Sequence, residues 1–220
     1  MAIQFNKVKG SAKKTGANYM KLADGDNTFR IVGGILPAYT FWIKGAEGNN
    51  HPFEALQFDR EAEEFDNSRG CPVSDAGIKD AKGEDVRCQW SYKCQVINKA
   101  TGELQVLQLK KGMLQEIISV AQDLEIDPTD PEEGTWLTVN RKKTGPKAYN
   151  VEYSLRQLKC KSTPLDESDL ALIKDLKTME ELFPLETYEK QAKRLARHIS
   201  GESEDEAEGD HDNESVSELG

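Results

Sequence analysis

Apolar and polar positions trade places at two different periods along this chain, and the change of period marks its elements. Gln89–Ile97 carries Trp90, Tyr92, Cys94 and Val96 at alternate positions between Ser91, Lys93 and Gln95, the spacing of a strand with one covered face. Lys99-Ala100-Thr101-Gly102 then forms a turn into Leu104–Leu109, so the two runs predict an antiparallel hairpin. Beyond it Met113, Ile117, Val120, Ala121 and Leu124 recur at helical spacing and stop before Asp127-Pro128, which predicts one amphipathic helix.

Trp136–Asn140 and Tyr149–Leu155 predict a second pair of strands joined by Arg141-Lys142-Lys143-Thr144-Gly145-Pro146-Lys147, with Leu137 and Val139 on one face and Val151, Tyr153 and Leu155 on another. Upstream, Phe29–Val32 follows the turn residues Asp24-Gly25-Asp26-Asn27, and Tyr39–Ile43 is aromatic and β-favouring between Pro37 and Gly45, giving two further strands. Residues 45–85 predict a long irregular insertion with a strand near Phe53–Phe58. After Pro164, Leu170, Ile173 and Leu176, and then Leu185, Tyr188, Ala192, Leu195 and Ile199, mark two amphipathic helices separated near Pro184. Five or six strands with a helix before the last pair is the element order of a mainly β, oligonucleotide-binding (OB) type barrel. The expected organisation is a basic N-terminal arm at 1–22, a core at 23–165, a helical segment at 166–200 and an acidic tail at 201–220.

Charge refines this outline. The chain carries 39 acidic against 29 basic residues, yet nine of the acids lie in residues 201–220 with no Lys or Arg among them, leaving 30 against 29 in the body. Within that body Met1–Lys21 has five lysines and no acid, and Arg141–Lys161 has seven basic residues against Glu152 alone. Glu47–Asp66, by contrast, holds seven acids against Arg60. A fold built on this chain therefore has a basic side and an acidic side. Glu202, Glu204, Asp205, Glu206, Glu208, Asp210 and Asp212, set among Ser and Gly, cannot bury enough apolar surface to fold. As a polyanion, the tail is expected either to compete for the basic surface and dock on partner proteins, or simply to keep the chain in solution.

Several classes are set aside. No run reaches the ~18 apolar residues of a membrane span, and Met1-Ala2-Ile3-Gln4-Phe5 is no secretory signal, so a cytoplasmic protein with no membrane partner is expected. Cys71, Cys88, Cys94 and Cys160 are too scattered for a disulfide scaffold. His51 with the first three cysteines lacks the short Cys-x2-Cys spacing of structural zinc, so no metal is expected. Neither a phosphate-cradling G-x-x-x-x-G-K-[ST] loop nor an acid–base pattern around His51, His198 and His211 is present, so neither enzymatic activity nor a cofactor is expected.

What remains is the chemistry of basic loops beside aromatic strands, which tracks phosphates while rings stack on bases. The candidate phosphate ligands are Arg30, Arg87, Lys93, Arg141, Lys142, Lys143 and Lys147. Some of Trp42, Trp90, Tyr92 and Tyr149 are expected to stack on bases, and alternation does not choose among them. For the loop at 141–147 the competing reading is a solvated hairpin tip.

In collinear order the chain carries Phe29-Arg30-Ile31 with Leu36-Pro37, Pro52-Phe53, Cys71-Pro72-Val73, the strand Trp90–Ile97, and Lys110-Lys111 opening a helix. Gly134-Thr135-Trp136-Leu137-Thr138-Val139, Gly145, Tyr149, Leu158, Pro164, Met179-Glu180-Glu181-Leu182 and the acidic tail follow. Over roughly Phe29–Leu195 this resembles the phage single-stranded DNA-binding proteins of the T-even helix-destabilising type. The resemblance implies an OB fold, coating of single strands with self-association on DNA, and a tail that contacts replication and recombination proteins. Where zinc-bearing members have C-P-V-C, this chain has Cys71-Pro72-Val73-Ser74, so the insertion is expected to be metal-free. An annealing protein that pairs complementary strands, and a peptide-binding adaptor that uses the tail as its hub, are the rival readings.

Overall fold

The computed structural model describes residues 17–146, 150–156 and 162–201. Among the described residues, eight strands, β1 (Gly25–Lys44), β2 (Asn50–Glu54), β3 (Phe58–Asp59), β4 (Glu64–Phe65), β5 (Gln89–Asn98), β6 (Glu103–Leu109), β7 (Leu137–Lys143) and β8 (Val151–Leu155), are accompanied by five helices. These are α1 (Pro72–Asp75), α2 (Lys111–Leu124), α3 (Glu167–Ile173), α4 (Met179–Leu182) and α5 (Tyr188–Ser200). The main sheet runs β6-β5-β1-β7-β8 with β2 also paired to β1, and β3-β4 is a separate two-stranded sheet. The chain is thus mainly β, with an antiparallel sheet and a few helices, as its patterning predicts.

Both predicted hairpins and the helix between them form. Trp136 itself precedes β7, which begins at Leu137. The two strands expected at Phe29–Val32 and Tyr39–Ile43 are one twenty-residue strand, β1. Its break in pattern is a disturbance inside the strand: Gly33 has φ +77° and Gly33, Gly34 and Ile35 are exposed in succession. A glycine accepts that left-handed backbone without a Cβ clash, and the exposed step resembles the way a bulge redirects a strand. The stretch at 45–85 is more regular than expected, holding β2, β3, β4 and α1.

Contacts divide the chain into two compact units that cut across the sequence order. Among the described residues, one comprises those up to Gly33, Cys94–Gln108 and Ser119–Leu176; the other comprises Gly34–Lys93, Leu109–Ile118 and those from Lys177. In the first unit β1 meets β7 with Gly25 opposite Arg141 and Phe29 opposite Leu137. β7 meets β8 with Val139 opposite Leu155 and Lys143 opposite Val151. Val32, Ile97 and Leu165 are buried together there, with Leu104, Trp136, Ile173 and Leu176 packed around them.

The first unit also buries a charge. Arg30 is fully buried between Phe29 and Ile31, and its guanidinium donates to the carbonyls of Thr163, at 3.1 Å, and Asp130. Burial pulls its pKa down, while the carboxylates of Asp130, Asp127 and Asp169 push it up. Gly134 lies against that guanidinium and against the Asp130 and Asp127 carbonyls, so a Cβ there collides with all three.

In the second unit β1 pairs with β2, Thr40 opposite Glu54 and Lys44 opposite Asn50. The core beneath them gathers Phe41, Ile43, Phe53, Ala55, Phe58, Cys71, Val73 and Leu195. Leu195 belongs to α5, which Thr187 caps by accepting from the Lys190 N–H and which ends at Gly201 in the left-handed conformation. Gln191 donates to the Glu54 carbonyl at 2.9 Å and the His198 Nε2 is 2.9 Å from the Ile43 carbonyl. Arg194 stacks 4.0 Å over the Phe53 ring. The helix is thereby tied to both strands of its hairpin. No helix among the described residues is long and apolar enough to cross a membrane.

Candidate nucleic-acid interface

The basic hairpin of the first unit is built by β7 and β8. Each strand offers its neighbour an antiparallel ladder, and the charges concentrate where that ladder ends. Arg141 is held by Asp24 and leaves 21% of its side chain exposed, whereas Arg156 pairs with Asp26 at 3.1 Å. Asp26 also accepts from Asn140 at 2.7 Å, and these hydrogen bonds, Asn140 first and Arg156 second, hold its carboxyl below the usual range. Lys142 and Lys143 are exposed at the end of β7, and among the described residues neither forms an ion pair. Lys142 stands opposite Glu152 in the ladder. Two of the four hairpin cations expected to meet phosphate are thus presented to solvent, and one is engaged by an aspartate. Lys147 and Tyr149 lie outside the described residues, as do the tail residues Glu202, Glu204, Asp205, Glu206, Glu208, Asp210 and Asp212. Arg30, expected from its sequence neighbourhood to meet phosphate, sits in the interior with its guanidinium on carbonyl groups.

The described aromatic candidates, Trp42, Trp90 and Tyr92, belong to the second unit. Trp42 is 42% exposed and stands opposite Pro52. The half-buried Trp90 centres an aromatic cluster, with ring centroids 4.9 Å from Tyr39 and 5.6 Å from Tyr92. Phe65, 41% exposed, reaches Tyr39 at 4.7 Å. The Lys111 ammonium rests 4.3 Å from the centre of the Trp90 ring, a cation–π contact that puts a positive charge at the edge of the cluster. Arg87 is exposed and 3.6 Å from Glu84. Lys93 is half-buried with its ammonium 4.5 Å over the Phe183 ring. Burial lowers its pKa, opposed by Glu54 and assisted by Arg60.

Tyr92 lies beneath this surface rather than on it. Only 7% of it is exposed, and its hydroxyl donates to Glu63 Oε2 at 3.1 Å. Burial first, and the bond to Glu63 second, push its phenol from the ordinary 10.0 up to about 12. A phenol whose folded pKa is raised keeps its full contribution to stability below pH 10 and loses it as pH rises to about 12. We therefore expect the difference in stability between the wild type and Tyr92→Phe to be flat up to pH 10 and to shrink between pH 10 and 12, measured by urea denaturation at each pH.

Alternation missed this layering because β5 is covered on both faces at its centre, where Ser91, Tyr92, Cys94, Gln95, Val96 and Ile97 are all buried. Tyr39, Phe65 and Lys111 went unrecognised as part of the cluster. Phe65 is masked in sequence by the acids around it, and Lys111 by its place at a helix start. Cys71, Cys88 and Cys94 are free thiols. Among the described residues no group of three or more His, Cys, Asp or Glu is placed to hold a metal ion.

No family model matches the chain. It is similar to a protein of Escherichia phage T5 named "Probable ssDNA-binding protein", with 24% identity over an alignment that covers 83% of this chain and 81% of that relative.

Proposed function

We propose that this chain is a non-enzymatic single-stranded DNA-binding protein of phage type, which coats the strand without base preference. The observation that carries the reading is the collinear similarity to the phage T5 protein over most of both chains. The exposed Lys142 and Lys143 supply phosphate ligands in the first unit. Trp42, Trp90, Phe65, Lys111 and Arg87 supply stacking faces and cations in the second. Arg30, Arg141, Lys93 and Tyr92 were also expected at the interface. Their polar groups are engaged and largely covered within the protein, so we assign the first contacts to the cations that face solvent, Lys142, Lys143, Arg87 and Lys111.

Stacking on sequence-tolerant rings and ion pairing with phosphates give affinity that falls steeply with salt. The fold is of the OB type, the N-terminal arm and the tail flank the core, and the tail docks replication and recombination proteins. A role in DNA replication, recombination and repair in the host cytoplasm, with self-association along the strand, is the part of this reading that the T-even resemblance suggests.

Fluorescence anisotropy of a labelled oligothymidine, titrated with the full chain at two salt concentrations beside a duplex of equal length, tests the reading. The expected result is salt-sensitive binding that favours the single strand. Equal binding of the duplex, or none of either, overturns it. Strand pairing of complementary oligonucleotides by the protein would replace it with the annealing reading.

A further inference from the structure

A cavity of about 390 Å³ opens in the first unit, away from the β7–β8 lysines in sequence and built from different elements. Its walls are the turn between β5 and β6, with Asn98, Lys99 and Gly102, the indole of Trp136, and the segment Thr163–Asp169 that leads into α3. The DNA-binding proposal makes no use of any of these groups.

Three features define what the cavity takes. The first is an aromatic face that already holds a cation: the Lys99 ammonium lies 4.8 Å from the centre of the Trp136 ring. The Lys99 backbone is fixed by its N–H bond to the Thr28 carbonyl, at 3.0 Å, so the aliphatic stem can swing aside without disturbing the turn. The second feature is charge. Asp166 and Asp169 both line the cavity with Lys99 as the one basic side chain among the lining residues, so the walls carry a net negative charge. Third, the two carboxyls differ. Asp166 accepts from Ser168 Oγ at 2.6 Å and from the Asp169 N–H at 2.9 Å, and these bonds hold its pKa down. Asp169 is half-buried, and burial together with the charge of Asp166 pushes its pKa up against the pull of Lys99 and Arg30. Asp169 is thus the carboxylate that gains most from another positive neighbour.

A planar guanidinium satisfies all three features. It stacks on an indole better than an ammonium does, and its fork of N–H groups matches a carboxylate. A nucleotide fits worse, because its phosphate would approach two carboxylates. We infer that this cavity is a docking site for an arginine side chain on a basic segment of a partner protein, stacked on Trp136 and paired with Asp169, with Lys99 as the internal stand-in that the arginine displaces.

The site is tested on the full chain by NMR of the tryptophan indole N–H signals, with the Trp136 signal identified by Trp136→Phe. The probe is arginine blocked at both ends, titrated beside blocked citrulline, which has the same shape without the charge. Blocked arginine is expected to shift the Trp136 signal saturably with a midpoint on the order of millimolar, leaving Trp42 and Trp90 unmoved, while citrulline has no effect. Asp169→Asn should weaken binding roughly 10-fold. Lys99→Met should strengthen it several-fold, since it removes the competitor; if Lys99 only supports the fold, the change goes the other way. Equal shifts of all three indoles, an equal response to citrulline, or unchanged binding by Asp169→Asn overturns the inference. A shift with guanosine but not with arginine overturns it as well and gives the cavity to a base. None of these outcomes depends on whether the protein binds single-stranded DNA.

Discussion

Arg30→Met is expected to lower the melting temperature by about 6 to 20 °C without altering the salt dependence of single-strand binding. The side chain is fully buried, and its nitrogens donate to the Asp130 and Thr163 carbonyls. Methionine fills much of the volume but donates nothing. Both carbonyls then lose a charged donor, the Asp130 carbonyl keeping the Gly134 N–H at 3.0 Å, at roughly 1.5 to 3 kcal/mol each. The loop at 127–134 also loses a positive charge that faces Asp127 and Asp130. A loss of roughly 3 to 5 kcal/mol follows, and for a chain of this size each kcal/mol is worth about 2 to 4 °C. Arg30→Lys keeps the charge but cannot fork to both carbonyls, so it should fall between the two. Thermal denaturation followed by circular dichroism measures the loss. Oligothymidine binding at a temperature where the variant is folded provides the second readout. A guanidinium that met phosphate would flatten the salt slope by about 0.7 when removed; one that only fastens the loop leaves it unchanged.

Arg30 also shows where sequence reading stops. Alternation puts it on the face opposite Phe29 and Ile31, and a charged residue on that face reads as solvent-facing. The face is covered by chain a hundred and more residues away, at Asp130 and Thr163, which no local pattern announces. The insertion at 45–85 has the same explanation. Phe53, Phe58, Cys71 and Val73 look too sparse to build a core, and they build one with Phe41, Ile43 and the distant Leu195. Elements whose stabilising contacts are local were legible: the β5–β6 hairpin with its tight turn, the helix α2 with its regular spacing, and the β7–β8 pair. Of the proposed interface, Lys142 and Lys143 were legible as exposed basic positions, whereas the exposure of Trp42 was not, since alternation does not choose among the rings. Tyr92 could not be told from Trp90, because both share one parity of β5 and only the layer of Tyr39, Phe58 and Phe65 decides which ring lies uppermost.

The hairpin lysines give the second large effect. Lys142 and Lys143 extend past the point where Asp24 engages Arg141, and Glu152 is the one acid opposite them in the ladder. Each lysine that neutralises one phosphate of a single strand adds about 0.7 to the slope of log affinity against log salt. Replacing both by alanine should therefore lower that slope by about 1.4, and should weaken binding at 50 mM salt by roughly 10- to 100-fold, with the deficit closing as salt approaches 1 M. Thermal stability should barely change, since both side chains are exposed and surface changes of this kind stay within about 0.5 kcal/mol. Stability thus separates this pair from Arg30: loss of binding with an intact fold places phosphate on the hairpin, and intact binding with an intact slope removes the hairpin from the interface. Glu152→Gln should act in the opposite sense and raise affinity at low salt, because it relieves the nearest opposing charge while leaving the ladder in place. If the lysine pair weakens binding and Glu152→Gln has no effect, the strand runs over the tip of the hairpin rather than across its face.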